Sequence, residues 1–263
     1  MSEVFDSIAY KYDKTFTKTA VGKAQRISVW NYLKKKTLHE KYILELNCGT
    51  CEDAVFFAEN GANILATDIS AEMLNFCKLK IKPEFKDKIK LQKLDILDIS
   101  ELKSSGKFDY VFSNFGGINC VSIDSLIKFS SEIKKNIKPE GSIIMVIMSK
   151  FCLWEILYYS FKLDFKTAFR RFLNKKISVK IGDNEIDTYY YSPKKIAKAF
   201  KDYQIETKMP VNFAVPPSYL NSFFERHKKT LEFLIKIDKI LGKLKLFAIF
   251  SDHFLIELKL KQE

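Results

Sequence analysis

Five short apolar runs alternate with helical segments over the first 150 residues, and this alternation constrains the fold more than any other feature. The runs, at 42–46, 63–67, 89–96, 108–113 and 142–148, predict strands. Between them, apolar residues recur at the spacing of amphipathic helices. Strands and helices in this order form right-handed βαβ units. The sequence therefore predicts an α/β fold with an open, mostly parallel sheet.

The chain begins with a predicted helix at 21–36, whose apolar residues are Val21, Ala24, Ile27, Trp30 and Leu33. After residue 150 the pattern is less regular. It predicts helices at 154–173, 193–200 and 218–241, strands at 204–208 and 254–260, and a hairpin turn at 182–185. We predict one overall domain, with a core and N-terminal helix at 1–150 and lid insertions plus the last strands of the sheet at 151–263.

The formal net charge of +12 is compatible with two interpretations. Lysines spread along the chain favour general solubility, whereas a basic face would suit nucleic acid, an anionic membrane or an acidic partner. The polar N-terminus does not resemble a signal peptide. The longest apolar run, 151–161, is shorter than the roughly 20 residues that span a bilayer. A soluble, cytoplasmic protein is the expectation.

The cysteines are five in number: Cys48, Cys51, Cys77, Cys120 and Cys152. An odd count in apolar surroundings predicts reduced thiols rather than a disulfide framework. Cys48 and Cys51 form a C-x-x-C pair. We interpret it as incidental packing, with a thioredoxin-like redox pair and a regulatory disulfide as alternatives. No spacing of cysteine, histidine and carboxylate indicates a metal site.

The turn after the first predicted strand is the most informative segment for function. Gly49 lets the backbone approach a ligand, and Asp68 follows 19 residues later, where a carboxylate can bind ribose hydroxyls. The G-x-G-x-x-G pattern of pyrophosphate sites is absent. Glu52 and Asp53 at the helix start would oppose a pyrophosphate but tolerate an ammonium and a sulfonium. The turn therefore favours S-adenosylmethionine over NAD.

Several motifs in order resemble those of class I S-adenosylmethionine-dependent methyltransferases. Residues 44–53 and 66–74 resemble motif I and the acidic loop after it, and 90–96, 108–115 and 137–141 resemble later motifs. Residues 5–13 resemble the lead-in of the branch with quinone-biosynthesis and small-molecule methyltransferases. The resemblance implies a Rossmann-like, seven-stranded sheet with helices on both faces and an antiparallel final strand. It makes 1–150 the cofactor-binding part.

The resemblance also implies roles at the methionine end of the cofactor. Glu45 and Gly49 would face the methionine part, and Tyr12 would close over it. Asn114 would lie near the transferring methyl group. Asn47, Cys48 and Phe115 belong to the same predicted binding set. The family usually has glycine where this chain has Cys51, so that side chain must point away from the cofactor or narrow the site.

At the adenosine end, the resemblance implies that Asp68 binds the ribose hydroxyls. Ile69 and Met73 would lie beside the adenine and Ile96 under its ring. Asp95 would take the adenine amino group, although a strand-end carboxylate can also be exposed without a ligand.

Two residues are candidates for catalysis on the acceptor. His253, beside Asp252, is a candidate general base, and Tyr190 belongs to a tyrosine cluster at 189–191 near the expected site. Both also have a structural interpretation, as packing residues. Methyl transfer is an in-line displacement that depends mainly on alignment. A base is needed only when the acceptor must lose a proton.

The predicted function is methyl transfer to a small, largely apolar metabolite or lipid precursor. The segments 150–191 and 212–251 combine aromatic residues with Lys and Arg, as a lid over such an acceptor would, and 151–176 has the makeup of a helix in peripheral contact with a membrane. An RNA or protein methyltransferase is one alternative. The D/N-P-P-Y/F pattern of many base methyltransferases is absent, which disfavours nucleic acid. A non-catalytic S-adenosylmethionine-binding module is another alternative, and a nicotinamide oxidoreductase is the least favoured.

Overall fold

The computed structural model describes residues 2–173, 176–182 and 184–261. A seven-stranded sheet has the order β3-β2-β1-β4-β5-β9-β8. Its strands are β1 Tyr42–Leu46, β2 Asn63–Asp68, β3 Ile89–Lys93, β4 Phe108–Ser113, β5 Ile137–Met148, β8 Tyr203–Val211 and β9 His253–Leu260. Strands β1 to β5 pair in parallel, and β9 is antiparallel to both of its neighbours. The predicted Rossmann-like sheet and its antiparallel final strand are confirmed.

Helices cover both faces of this sheet. They are α1 Ser2–Tyr12, α2 Ala20–Leu33, α3 Glu52–Glu59, α4 Ala71–Lys80, α5 Ile123–Ile133, α6 Leu153–Phe161, α7 Phe165–Ala168, α8 Pro193–Ala199, α9 Asn221–Arg226 and α10 Lys228–Leu241. Successive side chains of a strand point to opposite faces. Accordingly, Ile43 of β1 joins one buried cluster with α2 and α3, and Leu44 joins another with α5 and α8.

Two predicted helices are interrupted. The helix predicted at 154–173 is divided into α6, α7 and a 3₁₀ turn, because Leu163 has a left-handed φ of 58° and the Asp164 side chain caps α7 by accepting from the Thr167 amide at 3.0 Å. The helix predicted at 218–241 is divided between α9 and α10 at His227. Among the described residues, no helix is long and apolar enough to cross a membrane.

Some predicted segments extend beyond the described residues. These are Asn174 and Lys175 in the predicted membrane-contact segment, Asp183 in the predicted hairpin turn, and Met1 and 262–263 at the ends of the two predicted parts.

The hairpin of β6 Ile177–Ile181 and β7 Asn184–Thr188 lies outside the large sheet. It packs against the N-terminal helix α1, where Ile181 contacts the cluster that contains Ile8. The Asn184 side-chain amide also donates to the Ser7 hydroxyl at 3.2 Å. The hairpin and α1 therefore form adjoining walls beside the carboxyl ends of the parallel strands.

The prediction that all five cysteines are reduced thiols is wrong. Cys51, in the turn after β1, forms a disulfide with Cys77 of α4, whereas Cys48, Cys120 and Cys152 are free. The C-x-x-C pair is therefore not itself the bonded pair. Sequence spacing gave no sign of this bond, because the partners are 26 residues apart and meet only when α4 packs beside the turn.

Candidate functional site

A cavity of about 490 Å³ opens at the carboxyl ends of the parallel strands. Eleven of the fourteen predicted site residues line it: Tyr12, Asn47, Gly49, Asp68, Ile69, Met73, Asp95, Ile96, Phe115, Tyr190 and His253. The sheet order explains this convergence, because the loops after β1, β2, β3 and β4 lie side by side at one edge. Their individual roles stay predictions.

The turn after β1 is held by the carboxylate at the end of β2. Gly49 has a φ of 52°, a conformation that favours glycine, and its amide donates to Asp68 Oδ2 at 2.8 Å. The other oxygen of Asp68 accepts from the Ser70 amide at 2.9 Å. Burial raises the pKa of Asp68 to about 6. Each carboxylate oxygen keeps a further lone pair, so Asp68 can also accept from a hydroxyl.

The predicted adenine end of the cavity is largely apolar. Ile69, Met73 and Ile96 line it together with Phe5 and Ile8. Asp95, also in the wall, is a helix-capping residue. One of its oxygens accepts from the Leu97 amide at 2.9 Å, which leaves the other available to a ligand.

Three predicted cofactor residues do not line the cavity: Glu45, Cys48 and Asn114. The Asn114 amide donates to Asp53 Oδ2 at 3.0 Å, so it is held below the wall rather than beside a transferring methyl. Cys48 is buried behind the turn. Glu45 is buried too, and its Oε2 has no hydrogen-bond partner in the described part of the chain. Burial, reinforced by the negative charge of Asp53, raises the pKa of Glu45 well above its ordinary value.

Arg26 is a residue of this region that sequence reasoning missed. Its guanidinium forms a buried ion pair with Asp53, to which Trp30 also donates at 2.6 Å. It lies over the ring of Phe115, 5.1 Å from the ring centroid. The predicted apolar face of α2 was partly wrong, because Ile27 is half exposed whereas Arg26 is buried. A helical pattern cannot show that a cation faces inward when its carboxylate partner lies on another helix.

The acids at the start of α3 do not act as the sequence argument supposed. Asp53 is paired with Arg26, and Glu52 is paired with Lys80 at 2.9 Å. Neither is a free negative charge that would repel a phosphate. What remains of the argument against a pyrophosphate is the absence of the glycine pattern.

The Cys51 side chain points away from the cavity. Cys51 is fully buried, has a left-handed φ of 60°, and is bonded to α4. The departure from glycine at this position therefore does not narrow the site.

The opposite end of the cavity contains both predicted catalytic residues. His253 packs edge-on against Phe115, with 5.6 Å between ring centroids. Its Nδ1 lies 3.1 Å from Asp252 Oδ2, although the two are not aligned for a hydrogen bond. Burial acts to raise the pKa of Asp252, but the charges of His253 and Arg171 outweigh it and hold the pKa below its usual range. Asp252 is therefore a carboxylate that can orient or stabilise a charged imidazole.

A buried ion-pair network supports this end, and it too escaped sequence reasoning. Arg171 donates to Glu155 at 2.7 Å and to Asp252 at 2.8 Å. Its guanidinium lies over the ring of Tyr190, 4.6 Å from the centroid. Arg170 donates to the same Glu155 at 2.8 Å. The cations of the segment predicted to lie on a membrane thus face inward.

Comparison with known proteins agrees with this architecture. Residues 43–141 match the model of a methyltransferase domain. The chain is 28% identical over 145 residues to the demethylmenaquinone methyltransferase of Clavibacter sepedonicus, a stretch that covers 55% of this chain and 56% of that protein. It is 31% identical over 87 residues to the magnesium-protoporphyrin O-methyltransferase of Rhodobacter capsulatus, covering 33% of each. The chain thus spans about half or less of the length of these curated relatives.

Among solved structures, an S-adenosylmethionine-dependent methyltransferase from Clostridium acetobutylicum superposes with a TM-score of 0.60 at 17% identity, covering 98% of this chain and 99% of that one. At this identity the likeness shows the fold. Taken with the matched domain at 43–141 and the sheet order, the chain belongs to the class I S-adenosylmethionine-dependent methyltransferases, a family whose cofactor is S-adenosylmethionine.

Proposed function

We propose that this protein transfers a methyl group from S-adenosylmethionine to a small, largely apolar acceptor bound in the same cavity. The observation that carries the proposal is the division of one cavity into two chemically different ends. Asp68 and the Gly49 turn lie at one end, and His253, Tyr190 and the arginine network lie at the other. Its volume of about 490 Å³ lies within the range of small-molecule sites, roughly 300–1,000 Å³.

The residues at the first end fit the cofactor. Asp68 has spare acceptor capacity for ribose hydroxyls, and apolar side chains around Met73 would hold an adenine. Glu45 is an unpartnered carboxyl beneath the turn, and Arg26 offsets the charge of Asp53 beside it. We assign Arg26 a positioning role, since it holds Asp53 and packs on Phe115 without lining the cavity.

When bound, S-adenosylmethionine supplies a methyl group on a sulfonium, which is open to in-line attack by an electron pair of the acceptor. The protein contributes alignment of the two, a contribution that can reach several kcal/mol. Phe115 stands between Arg26 and His253 and would fix the boundary between cofactor and acceptor. His253 would accept the proton of a hydroxyl or amine acceptor, with Asp252 stabilising the resulting imidazolium.

The walls at the second end favour an acceptor that is mostly apolar. Val179, Ile181 and Ile186 of the hairpin line it, with Met148 and Tyr219. Tyr190 and Arg170 add a few polar groups that would orient a carbonyl, hydroxyl or acidic substituent. The names of the two relatives refer to demethylmenaquinone and magnesium-protoporphyrin, and so point to small-molecule acceptors.

A peripheral membrane contact is part of the proposal. With Arg170 and Arg171 turned inward, the segment from α6 onward exposes apolar side chains: Leu157, Phe161, Leu163, Phe165, Phe169, Phe172 and Leu173. An apolar acceptor dissolved in a bilayer would reach the cavity through such a rim. We expect binding to anionic vesicles to weaken in a Phe161→Ser, Leu163→Ser double variant. Leu79→Ser, at an equally exposed leucine on α4, is the matched control.

Methyl-labelled S-adenosylmethionine tests the function and its alternatives in one experiment. The protein is incubated separately with a bacterial metabolite and lipid extract, with total RNA, and with total protein. We expect label in the organic-soluble products of the first arm, and a loss of that label with Phe115→Ala. Label in RNA or protein would support the alternative that uses the basic surface. Cofactor binding with no label in any arm would favour a non-catalytic module.

A further inference from the structure

Three cysteine side chains meet behind the turn that carries Gly49. The Sγ atoms of Cys48, Cys51 and Cys77 all lie within 4.8 Å of one another, and all three residues are buried. Cys51 and Cys77 form the disulfide, and Cys48 is the free thiol beside it. The proposed methyl transfer uses none of these sulfur atoms, so the cluster is unexplained by that function.

The sulfur positions match the edges of a metal–thiolate polyhedron. Cys48 Sγ lies 3.8 Å from Cys51 Sγ and 4.0 Å from Cys77 Sγ. For metal–sulfur bonds of about 2.3 Å, sulfur–sulfur edges are about 3.8 Å in a tetrahedron and about 4.0 Å in a trigonal plane. Two of the three edges therefore already have the required length, and the third is the one closed by the disulfide.

The surroundings favour a cation at this point. Burial raises the pKa of the Cys48 thiol well above its ordinary value, and the negative charges of Asp68 and Glu45 raise it further. A positive ion would offset those charges and replace the thiol proton. The Gly49 carbonyl oxygen lies 3.2 Å from Cys77 Sγ and 3.8 Å from Cys48 Sγ, so an oxygen is present where a fourth ligand would be.

We infer that the reduced protein binds one thiophilic divalent ion of the Zn²⁺ type through Cys48, Cys51 and Cys77. Three thiolates select soft and borderline ions over Mg²⁺ or Ca²⁺. A divalent ion leaves a net charge of only about −1 on the cluster, which suits a buried site better than a monovalent ion would. The inference does not depend on the proposed methyl transfer, since it concerns the cysteines alone.

Reduction must come first, and its chemistry balances. A trialkylphosphine takes up the two electrons' worth of oxidation held in the Cys51–Cys77 bond and becomes a phosphine oxide, while water supplies the oxygen and the two thiol protons. The ion then displaces the protons of three thiols into the buffer, so binding strengthens as the pH rises. Cys48 is adjacent to Gly49 in the cavity wall, which gives the ion a route from the cavity.

Cadmium is the probe, because its thiolate complexes have an ultraviolet charge-transfer band. The full chain, reduced with phosphine and desalted without oxygen, is expected to bind one Cd²⁺ per chain, with a band of three-thiolate intensity that Zn²⁺ removes by competition. The unreduced protein is expected to show no band. Cys48→Ser is expected to lower the band by about a third and weaken binding, while Cys152→Ser, a buried cysteine elsewhere, leaves both unchanged.

Cys48→Ser is the decisive variant, because it leaves the disulfide partners in place even if Cys77→Ser does not fold. A second measurement uses the wild-type protein: Zn²⁺ is expected to protect these three cysteines from alkylation, read by peptide mass spectrometry, but not Cys120. Absence of a band at equimolar Cd²⁺ in the reduced protein would overturn the inference. An unaltered band in Cys48→Ser, or alkylation of all three thiols despite Zn²⁺, would overturn it as well.

Discussion

Each end of the cavity is supported by one buried arginine, and the two arginines are placed in different ways. Arg26, at the cofactor end, pairs with Asp53 and sits beneath a turn whose pattern the sequence reveals. Arg171, at the acceptor end, bridges Glu155 and Asp252 within a segment whose pattern resembled an exposed helix. The comparison shows that both ends are stabilised by internal ion pairs. Only the cofactor end also has a recurring motif that announces its ligand.

The largest effect is expected when Arg171 is removed. Arg171→Met would leave Glu155 and Asp252 as buried carboxylates without their shared cation, which costs about 3–5 kcal/mol of the free energy of unfolding. Urea denaturation measures this. Arg170→Met is the matched control, because Arg170 is partly exposed and Arg171 still pairs with Glu155 after its loss. Equal destabilisation by both variants would contradict the network described above.

Arg26→Met separates the two ends functionally. It leaves Asp53 beside the buried carboxyl Glu45, so we expect destabilisation that approaches that of Arg171→Met. It should also weaken S-adenosylmethionine binding about tenfold or more, as measured by calorimetry on the folded fraction. Arg171→Met, where folded, should bind the cofactor almost as the wild type does. If Arg171→Met weakened the cofactor and Arg26→Met did not, the assignment of the two ends would be reversed.

The two ends should also differ in their response to pH. Asp68 has a pKa raised to about 6, so lowering the pH through 6 protonates it and removes an acceptor for ribose. Cofactor affinity should fall by up to about tenfold per pH unit below that point. The Asp68→Asn variant should show a flatter profile over the same range.

The effects of these acids on stability have opposite signs. For Asp68 the folded-state pKa is raised, so its stabilisation is present below its unfolded pKa and is lost as the pH rises through about 6. For Asp252 the folded-state pKa is lowered, so its stabilisation is present above its unfolded pKa and is lost only as the pH falls through the lower folded value. Urea titrations of Asp68→Asn and Asp252→Asn across this range distinguish the two.

The smallest effect is expected at the outer wall of the acceptor end. Asn184→Ala removes an exposed hydrogen bond to Ser7, which contributes about 1 kcal/mol or less. We expect faster amide exchange in the hairpin β6–β7 and little change in global unfolding. An unchanged exchange rate would show that the apolar contact between Ile181 and Ile8 alone holds the hairpin on α1.

The alternation of strands and helices was enough to predict the sheet, because a parallel strand must be apolar and must be followed by a helix that returns the chain. The same logic predicted that Gly49, Asp68, Asp95 and Phe115 would meet, since all four follow strands that end at one edge. The prediction failed where partners are distant in sequence. Arg26 with Asp53 and Cys51 with Cys77 each depend on helix packing, which a local pattern does not contain.

The acceptor end was predicted less well for a related reason. An aromatic and cationic segment suits a membrane surface, a lid or a buried network equally, and only the carboxylates of Glu155 and Asp252 decide which cations face inward. The break of the predicted helix at Leu163 follows from a left-handed residue and a capping aspartate, neither of which alters the apolar periodicity enough to be seen.

Calorimetric titration with S-adenosylmethionine tests the central claim most directly, using the wild-type protein and Asp68→Asn, which has the same shape but lacks the negative charge. The expected result is micromolar binding by the wild type, a loss of about tenfold or more in the variant, and no response to NADH. Wild-type protein that binds no S-adenosylmethionine, or a variant that binds it equally well, would contradict the assignment of this cavity.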